Sequence, residues 1–478
     1  MRWQWRFLLL LPLLLVLAAC GSFPQNPKLD KYDAKAGYRF DNLKTGEKNT
    51  DSLFVVLAFS GGGTRAASLS YGVMQALRNT SIKWKGKTKR LLDEVDMISS
   101  VSGGSFTSAY YALYRDGIFD GTYESVFLKK DIEKALLSAA LSPVNWFKLA
   151  GGSYGRSDLA AEYYDENVFA QATFQKLIEK GTRPFLMLNA TDMTTGWQFP
   201  FIQDQFDLIC SDLSRISIAR AVASSSAFPG LLTPLTYENH AGKCNYTEPQ
   251  WVGFAMKDRL TAPERANLAE DRRSYYQQQP WEAKRKFIHL VDGGVADNIG
   301  LRSILAALKT TDPAYSLLRR INREQIEKLV VIVVNAATDP QPSRDGSADV
   351  PSVLDVLSTA ATVPLDNFSF DTVNQLRSVV KEYNTSVALR KKCNKILKKH
   401  CPAAKLPDGE LYELDLYLVQ VAFDFIKDPQ TRFKYKNLPT TFNLPAATVD
   451  DLIEMGGKLL HQDKDFRRLT GNLGATGG

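Results

Sequence analysis

Histidine is scarce in this sequence, with four residues among 478, and the five cysteines are not spaced like metal ligands. Neither residue type forms a ligand cluster along the chain, so we expect no metal site. The sequence also lacks internal repeats and any proline- or glycine-rich linker that would divide it. With 44% hydrophobic residues, a chain of this length can bury a large core, so we expect one large folded body.

A strong excess of charge of one sign is also missing. The formal net charge is +7, and removal of Arg2 and Arg6 with an amino-terminal leader would leave +5. This excess is small and dispersed, which argues against nucleic acid as a partner. One basic cluster could face anionic lipid, although such runs are more often the solvated face of a helix. Its members are Arg390, Lys391, Lys392, Lys395, Lys398 and Lys399.

The apolar run near the amino terminus, from Phe7 to Leu17, is too short to span a bilayer stably. It follows a positively charged start and ends in small residues, which predicts a secretory signal peptide over residues 1–19. Leu17-Ala18-Ala19-Cys20 resembles the lipobox of bacterial lipoproteins; an ordinary signal peptide is the alternative. We expect lipidated Cys20 to anchor the protein in a bacterial cell envelope, and Gly21 favours its outer membrane.

Four further cysteines remain after the leader: Cys210, Cys244, Cys393 and Cys401. An even number in an exported chain predicts disulfides, with three possible pairings. Proximity in the sequence favours Cys210–Cys244 and Cys393–Cys401.

The body of the protein shows alternating strand-like and helix-like patterns. Residues 20–51 are polar, with Pro24 and Pro27 early, and are predicted to be a tether. A β-branched and aromatic run at Leu53–Phe59 is typical of a strand buried in a parallel sheet. Further strands are expected at residues 184–190, 287–291, 329–337 and 416–423, and a closing helix at 449–460. Strands that alternate with helices predict an α/β fold with a largely parallel sheet.

An apolar, helix-like segment lies between Ile132 and Phe147. Its leucines, alanines and aromatic residues favour a place in the core. The alternative is a cap that touches lipid.

The strongest candidate for chemistry follows the apolar stretch Met97 to Val101. There Ser102 precedes Gly103 and Gly104, and a helical pattern begins at once, which predicts a strand, a tight turn and a helix. A serine in such a turn exposes its hydroxyl, and the first helical turn directs unpaired N–H groups toward it. The motif is G-x-S-x-G with Ser100 in place of the first glycine. Ser102 is therefore the candidate nucleophile; a loop of small residues that only packs is the alternative.

Two other glycine-marked turns end strand-like stretches, at Gly61-Gly62-Gly63 and at Asp292-Gly293-Gly294. The carboxyl ends of parallel strands share one edge of a sheet, so these turns can meet Ser102. Backbone N–H groups of the first turn could stabilise an oxyanion. We assign that role to Gly62 and Gly63, with Gly61 shaping the turn and Gly103 as a further donor.

Asp292 is the candidate base. A carboxylate can accept the serine proton directly if burial raises its pKa and it lies within hydrogen-bonding reach. An aspartate that only initiates a turn is the alternative for this residue. The histidines at 240, 289, 400 and 461 have no comparable glycine-marked setting.

These motifs resemble the patatin-like phospholipases, with some similarity to the cytosolic phospholipases in the tri-glycine segment. The resemblance rests on Gly61 to Arg65, Ser102, Asp292 to Gly294, and Ala223 to Gly230, and more faintly on Leu438 to Phe442. It implies a three-layer α/β sandwich over about residues 52–465, followed by a flexible tail at 466–478.

The resemblance also implies the function: a serine–aspartate dyad that cleaves acyl esters of membrane lipids through an acyl-enzyme, without a cofactor. The activity would be that of a membrane-anchored phospholipase A or lysophospholipase. Arg65 matches a family arginine that would orient the turn or bind a lipid phosphate; a structural salt bridge is the alternative. Two other hypotheses remain: a Ser-His-Asp esterase or thioesterase using a histidine such as His461, and a non-catalytic envelope lipoprotein.

Overall fold

The computed structural model describes residues 23–277, 284–309, 326–339, 346, 348–402 and 414–475. The predicted signal peptide, the predicted lipidation site Cys20 and residues 476–478 lie outside the described residues. Within the described part, no helix is both long and apolar enough to cross a bilayer.

An eight-stranded sheet forms the centre of the fold, and a separate hairpin lies beside it. The strands are β1 Leu53–Phe59, β2 Ser81–Trp84, β3 Lys87–Arg90, β4 Val95–Val101, β5 Phe185–Asp192, β6 Gln198–Pro200, β7 Leu235–Glu238, β8 Phe287–Asp292, β9 Lys328–Asn335 and β10 Asp415–Ala422. In the main sheet the order is β10-β9-β1-β4-β5-β8-β7, with β6 paired to β5; β2 and β3 form the hairpin. The five strands from β10 to β5 are mutually parallel, whereas β6, β7 and β8 pair antiparallel.

Helices connect the strands and cover both faces of the sheet. They are α1 Gly63–Asn79, α2 Gly103–Tyr114, α3 Ile132–Ala140, α4 Pro143–Ala150, α5 Arg156–Asn167, α6 Phe174–Lys180, α7 Gln203–Phe206, α8 Ile218–Ser225, α9 Gln250–Lys257, α10 Pro263–Tyr276, α11 Gly294–Asp297, α12 Arg302–Lys309, α13 Val353–His400, α14 Pro429–Lys436, α15 Ala446–Gln462 and α16 Lys464–Asn472.

The two faces of the sheet each have their own core. Along β1, Leu53, Val55, Leu57 and Phe59 belong to one hydrophobic cluster, whereas Phe54, Val56 and Ala58 belong to the other. Because successive side chains of a strand point to opposite faces, this division shows a sheet that is buried on both sides. The predicted three-layer α/β fold is confirmed, and so are the four strands expected after the first.

The predicted tether is wrong for residues 23–51, which pack on the body. Tyr38 is buried, and Arg39 forms an ion pair with Asp207 at 2.6 Å. The Leu29 N–H donates to the carbonyl of Cys210 at 2.8 Å. Polar composition suggested a linker, but these few contacts anchor the segment.

The predicted flexible tail is also wrong over residues 466–475. This stretch begins within α16, where Phe466 and Leu469 are buried in the main core together with Leu473 just beyond the helix. The spacing of these three residues places them on one helical face, which anchors the segment.

One expected disulfide is present and the other is not. Cys210 pairs with Cys244. Cys393 and Cys401 are free and exposed. They cannot pair with each other, because Cys393 lies within α13 and Cys401 directly follows its end. Eight residues of helix rise about 12 Å, well beyond the reach of a disulfide.

The sequence favours a place in the core for the apolar segment 132–147, and this prediction is wrong. It forms α3 and α4, whose side chains are exposed apart from that of Ile132 and some half-buried neighbours. Leu141 is 74% exposed and Trp146 is 66% exposed.

Candidate active site

Ser102 lies in the turn between β4 and α2. Its backbone has φ 49° and ψ −121°, a conformation that costs a non-glycine residue roughly 1–3 kcal/mol. Its N–H donates to both oxygens of Ser225, the hydroxyl at 2.9 Å and the carbonyl at 3.1 Å. Ser102 as a whole is only 7% exposed. The strained turn is thus held by contacts from α8, and the hydroxyl sits at the carboxyl edge of the sheet.

The tri-glycine turn between β1 and α1 contacts the Ser102 turn directly. Gly62 and Gly63 have φ of 132° and 58°, values that favour glycine. A methyl group on Gly103 would lie 2.0 Å from the carbonyl oxygen of Gly63, so the backbones meet only because Gly103 lacks a side chain. The turn is held from the other side by the Gly61 N–H, which donates to the Asn298 carbonyl at 3.0 Å.

Two helices therefore begin at the same place. Gly63 is the first residue of α1 and Gly103 is the first residue of α2, and the N–H of a first helical residue has no acceptor within its own helix. The amino-terminal ends of both helices, where the positive ends of the helix dipoles lie, are adjacent to Ser102. Such a position suits an oxyanion, as the sequence predicts for Gly62, Gly63 and Gly103.

Asp292 ends β8 and meets Ser102 across this position. The Gly294 N–H donates to Asp292 Oδ1 at 2.8 Å, and the Ser102 hydroxyl lies near enough to the carboxylate to stabilise its charge. Burial raises the pKa of Asp292 to about 6, although the Gly294 N–H and the Ser102 hydroxyl stabilise the charged form and oppose the rise. A carboxyl with a pKa near neutrality can both accept and return a proton.

Arg65 lies under the tri-glycine turn and is buried. Its guanidinium donates to the carbonyls of Ala336 and Leu438, at 2.9 Å and 2.7 Å, and to the Thr440 hydroxyl at 3.1 Å. A methyl group on Gly62 would lie 2.9 Å from Arg65 Nη2. These contacts support the role of orienting the turn. A contact with lipid phosphate stays a prediction.

Sequence reasoning missed two residues that hold the site together. Ser225 donates its hydroxyl to the Asn189 carbonyl at 2.6 Å, and its own carbonyl accepts from Gly293 N–H at 3.1 Å, so it joins the turns of Ser102 and Asp292. Asn298 lies with its side-chain oxygen 2.4 Å from a methyl position on Gly61 and 3.0 Å from one on Gly294. The Ala223 to Gly230 stretch pointed near Ser225, but nothing in the local pattern pointed to Asn298.

The described histidines make their contacts elsewhere. His240 Nε2 lies 3.3 Å from the Asn26 carbonyl, and His289 Nδ1 lies 3.1 Å from the Thr236 hydroxyl. His461 stacks edge-on against Phe466, and His400 is the exposed last residue of α13. This arrangement does not favour the Ser-His-Asp hypothesis. In the described part of the chain, no group of three or more His, Cys, Asp or Glu residues could hold a metal ion.

The contact between Gly63 and Gly103 allows a direct test. We expect Gly103→Ala to lower kcat at least roughly 100-fold, because the added methyl must push the tri-glycine turn away from the serine. The matched control is Gly457→Ala in α15, where the nearest atom to the new methyl is Ala76 Cβ at 3.5 Å. Circular dichroism would report folding of both variants. Equal kcat values for the two variants would contradict the assigned oxyanion position.

The sequence profile of patatin-like phospholipases matches residues 57–305, just over half of the chain. No curated protein sequence matches the chain. Among solved structures, the chain is similar to human GIVD cytosolic phospholipase A2, with 12% identity, a TM-score of 0.41, and coverage of 88% of this chain and 60% of that chain. The chain thus spans less than two thirds of that protein.

A second similar structure is VipD from Legionella pneumophila. It has 11% identity and a TM-score of 0.24, with coverage of 88% of this chain and 71% of that chain. The profile match includes the tri-glycine turn, Ser102 and Asp292, which are the residues that the fold brings together. The chain belongs to the patatin-like phospholipase family.

Proposed function

We propose that this protein hydrolyses acyl esters of membrane lipids, as a phospholipase A or lysophospholipase, with Ser102 as nucleophile and Asp292 as base. One observation carries the proposal. The Ser102 hydroxyl lies beside the buried carboxylate of Asp292, at the point where α1 and α2 both begin. A nucleophile, a base and oxyanion donors are the groups that ester hydrolysis needs.

The acylation step follows from these positions. Asp292 accepts the hydroxyl proton while Ser102 Oγ bonds to the acyl carbon, and the carbonyl electrons move to the oxygen. The N–H groups of Gly63 and Gly103 donate to that oxyanion, and Gly62 can add a third donor. The ester bond then breaks, the leaving lyso-lipid alcohol takes the proton from Asp292, and an acyl-serine remains.

Deacylation uses the same groups in reverse. Asp292 accepts a proton from water, the hydroxide oxygen bonds to the acyl carbon, and the same N–H groups stabilise the second oxyanion. The bond from Ser102 Oγ to the acyl carbon breaks, Oγ recovers the proton, and a fatty acid leaves. One carboxyl with a pKa near 6 serves both half-reactions.

We also propose that the protein acts at a membrane in a bacterial cell envelope, attached through lipidated Cys20. The leader motif supports this placement, and the family supplies a substrate class that resides in membranes.

An alkyl fluorophosphonate probe tests the proposed activity and its alternatives together. We expect the probe to label the chain stoichiometrically on Ser102, and the unlabelled chain to release fatty acid from a mixed panel of phospholipids and lysophospholipids. Absence of labelling and of release would favour the non-catalytic lipoprotein. Release from acyl thioesters alone would favour a thioesterase. Loss of activity on replacing all four histidines would favour the Ser-His-Asp esterase.

A further inference from the structure

The helical hairpin formed by α3 and α4, residues 132–150, presents an unusual surface. From Ala135 to Phe147 the sequence contains no charged residue. Its exposed large side chains are Leu137, Leu141, Val144, Trp146 and Phe147. In α4, every residue is at least partly exposed. A soluble surface rarely leaves so many apolar side chains together in water, so this patch is expected to contact something apolar.

One end of the hairpin is attached to the oxyanion side of the site. The Glu133 carboxylate accepts from the Thr441 hydroxyl at 2.6 Å and from the Phe442 N–H at 2.9 Å. The Thr441 carbonyl in turn accepts from the Thr64 N–H at 2.9 Å, directly after the tri-glycine turn. Thr441 therefore links the first turn of α3 to the tri-glycine turn.

The other end is attached to the aspartate side. After α4, the Ser157 hydroxyl donates to the Thr233 carbonyl at 2.5 Å, and Arg156 donates to the Gly230 carbonyl at 3.3 Å. The segment that contains these carbonyls begins at Ala227, whose own carbonyl accepts from the Asp292 N–H at 3.0 Å. The hairpin therefore connects the two sides of the active site at the carboxyl edge of the sheet.

The amino-terminal end of the described chain lies at the same edge. Phe23 packs against Phe287, with ring centroids 5.7 Å apart. In the register of β5 and β8, Asp192 pairs with Leu290, so Phe287 lies three positions, about 10 Å, beyond the carboxyl end of β5. The first described residue of the chain, Phe23, is therefore on the active-site edge, and the predicted lipidation site Cys20 precedes it by three positions in the sequence.

We propose that the helical hairpin 132–150 is a membrane-docking surface that inserts its apolar side chains into a lipid bilayer and thereby brings the active-site edge to the membrane. The inference rests on the proposed function only in taking a bilayer lipid as the substrate. The uncharged stretch, the aromatic pair Trp146 and Phe147, and the position of Phe23 each fit a bilayer surface. A second copy of this chain is the competing occupant.

Quenching of tryptophan fluorescence tests the docking without an activity assay. The full chain and its W146F variant are reconstituted in phosphatidylcholine vesicles with brominated or plain acyl chains, and the emission of Trp146 is taken as their difference. We expect brominated lipid to quench this difference at least about twofold, because bromine acts on contact and Trp146 would lie among the acyl chains. The matched control is the emission of Trp84, taken in the same way as the difference between the full chain and its W84F variant. Trp84 donates to the Ser52 hydroxyl at the opposite edge of the sheet, so brominated lipid should not quench this difference.

A second measurement links docking to catalysis. The double variant L141D/V144D changes exposed positions only, and should lower the ratio of vesicle hydrolysis to hydrolysis of a monomeric short-chain ester by roughly tenfold or more. The control pair L389D/I396D changes exposed apolar residues at the far end of α13 and should leave that ratio unchanged.

The outcomes separate docking from chemistry. Quenching of Trp146 in a chain that cleaves no ester would support docking and sink the proposed function. An unquenched Trp146 would overturn docking, whatever the activity. So would a dimer in sedimentation that the L141D/V144D variant dissociates, because the patch would then contact a second copy.

Discussion

Ser102→Ala is expected to abolish fatty-acid release, by roughly 10⁴-fold or more, and to leave the fold intact. The substitution removes one oxygen atom from a buried side chain, so it opens no sizeable cavity. It also removes the only atom that can form the acyl-enzyme in the proposed mechanism. Residual activity would come from the oxyanion donors and from substrate binding, which accelerate ester hydrolysis little without a nucleophile. The measurement is release of labelled fatty acid from phosphatidylcholine, with fluorophosphonate labelling as a second readout.

Ser108→Ala is the matched control for this loss. Ser108 is buried in α2, the helix that follows Ser102, and its hydroxyl lies 2.6 Å from that of Ser100. Its replacement removes the same oxygen without touching the nucleophile, so activity should stay within about threefold of the original, with a stability loss of about 1 kcal/mol. Substantial fatty-acid release by Ser102→Ala would move the nucleophile elsewhere.

Much of the fold could be predicted because its signals are local. The β-branched runs at Leu53–Phe59 and Lys328–Asn335 are apolar on both faces, as a sheet covered on both sides requires. The tether at 23–51 was misjudged because Tyr38 and Arg39 pack against partners far along the chain. The spacing of apolar residues in segment 132–147 predicts a helix with an apolar face. It does not predict whether that face is buried, since a helix in the core and a helix on a membrane surface have the same spacing of apolar residues.

Some residues of the candidate site could be predicted from local sequence and others could not. Ser102 and Asp292 stand at strand ends marked by glycine, so the parallel sheet predicts that they meet. Ser225 and Asn298 act through bonds to the backbone of those turns, and such bonds exist only in the folded chain. A serine that holds a strained turn looks, in sequence, like any other small residue of a helix. The supporting residues of the site were therefore beyond prediction.

Asp292→Asn is expected to abolish activity and to stabilise the protein at neutral pH. The pKa of Asp292 is raised to about 6 by burial, and the carboxylate must be ionised to accept the Ser102 proton. In the original chain, kcat/KM should therefore rise about tenfold per pH unit up to about pH 6 and then level off. The asparagine variant should be inactive across this range, because an amide accepts no proton. A plateau that extends unchanged to pH 4 would exclude Asp292 as the base.

The stability change follows from the same raised pKa. An aspartate in the unfolded chain has a pKa near 3.9, so between about pH 4 and pH 6 the folded state binds the proton more tightly, and stability falls as pH rises. At pH 7 the folded state then carries the full cost of a buried carboxylate. Asparagine removes that cost, and we expect urea unfolding to show a gain of roughly 1–3 kcal/mol at pH 7 that shrinks toward pH 4. Because this cost arises only when Asp292 is ionised, a gain that is absent near pH 4 and grows up to about pH 6 would identify the buried carboxylate as its source, whereas a gain independent of pH would contradict the raised pKa.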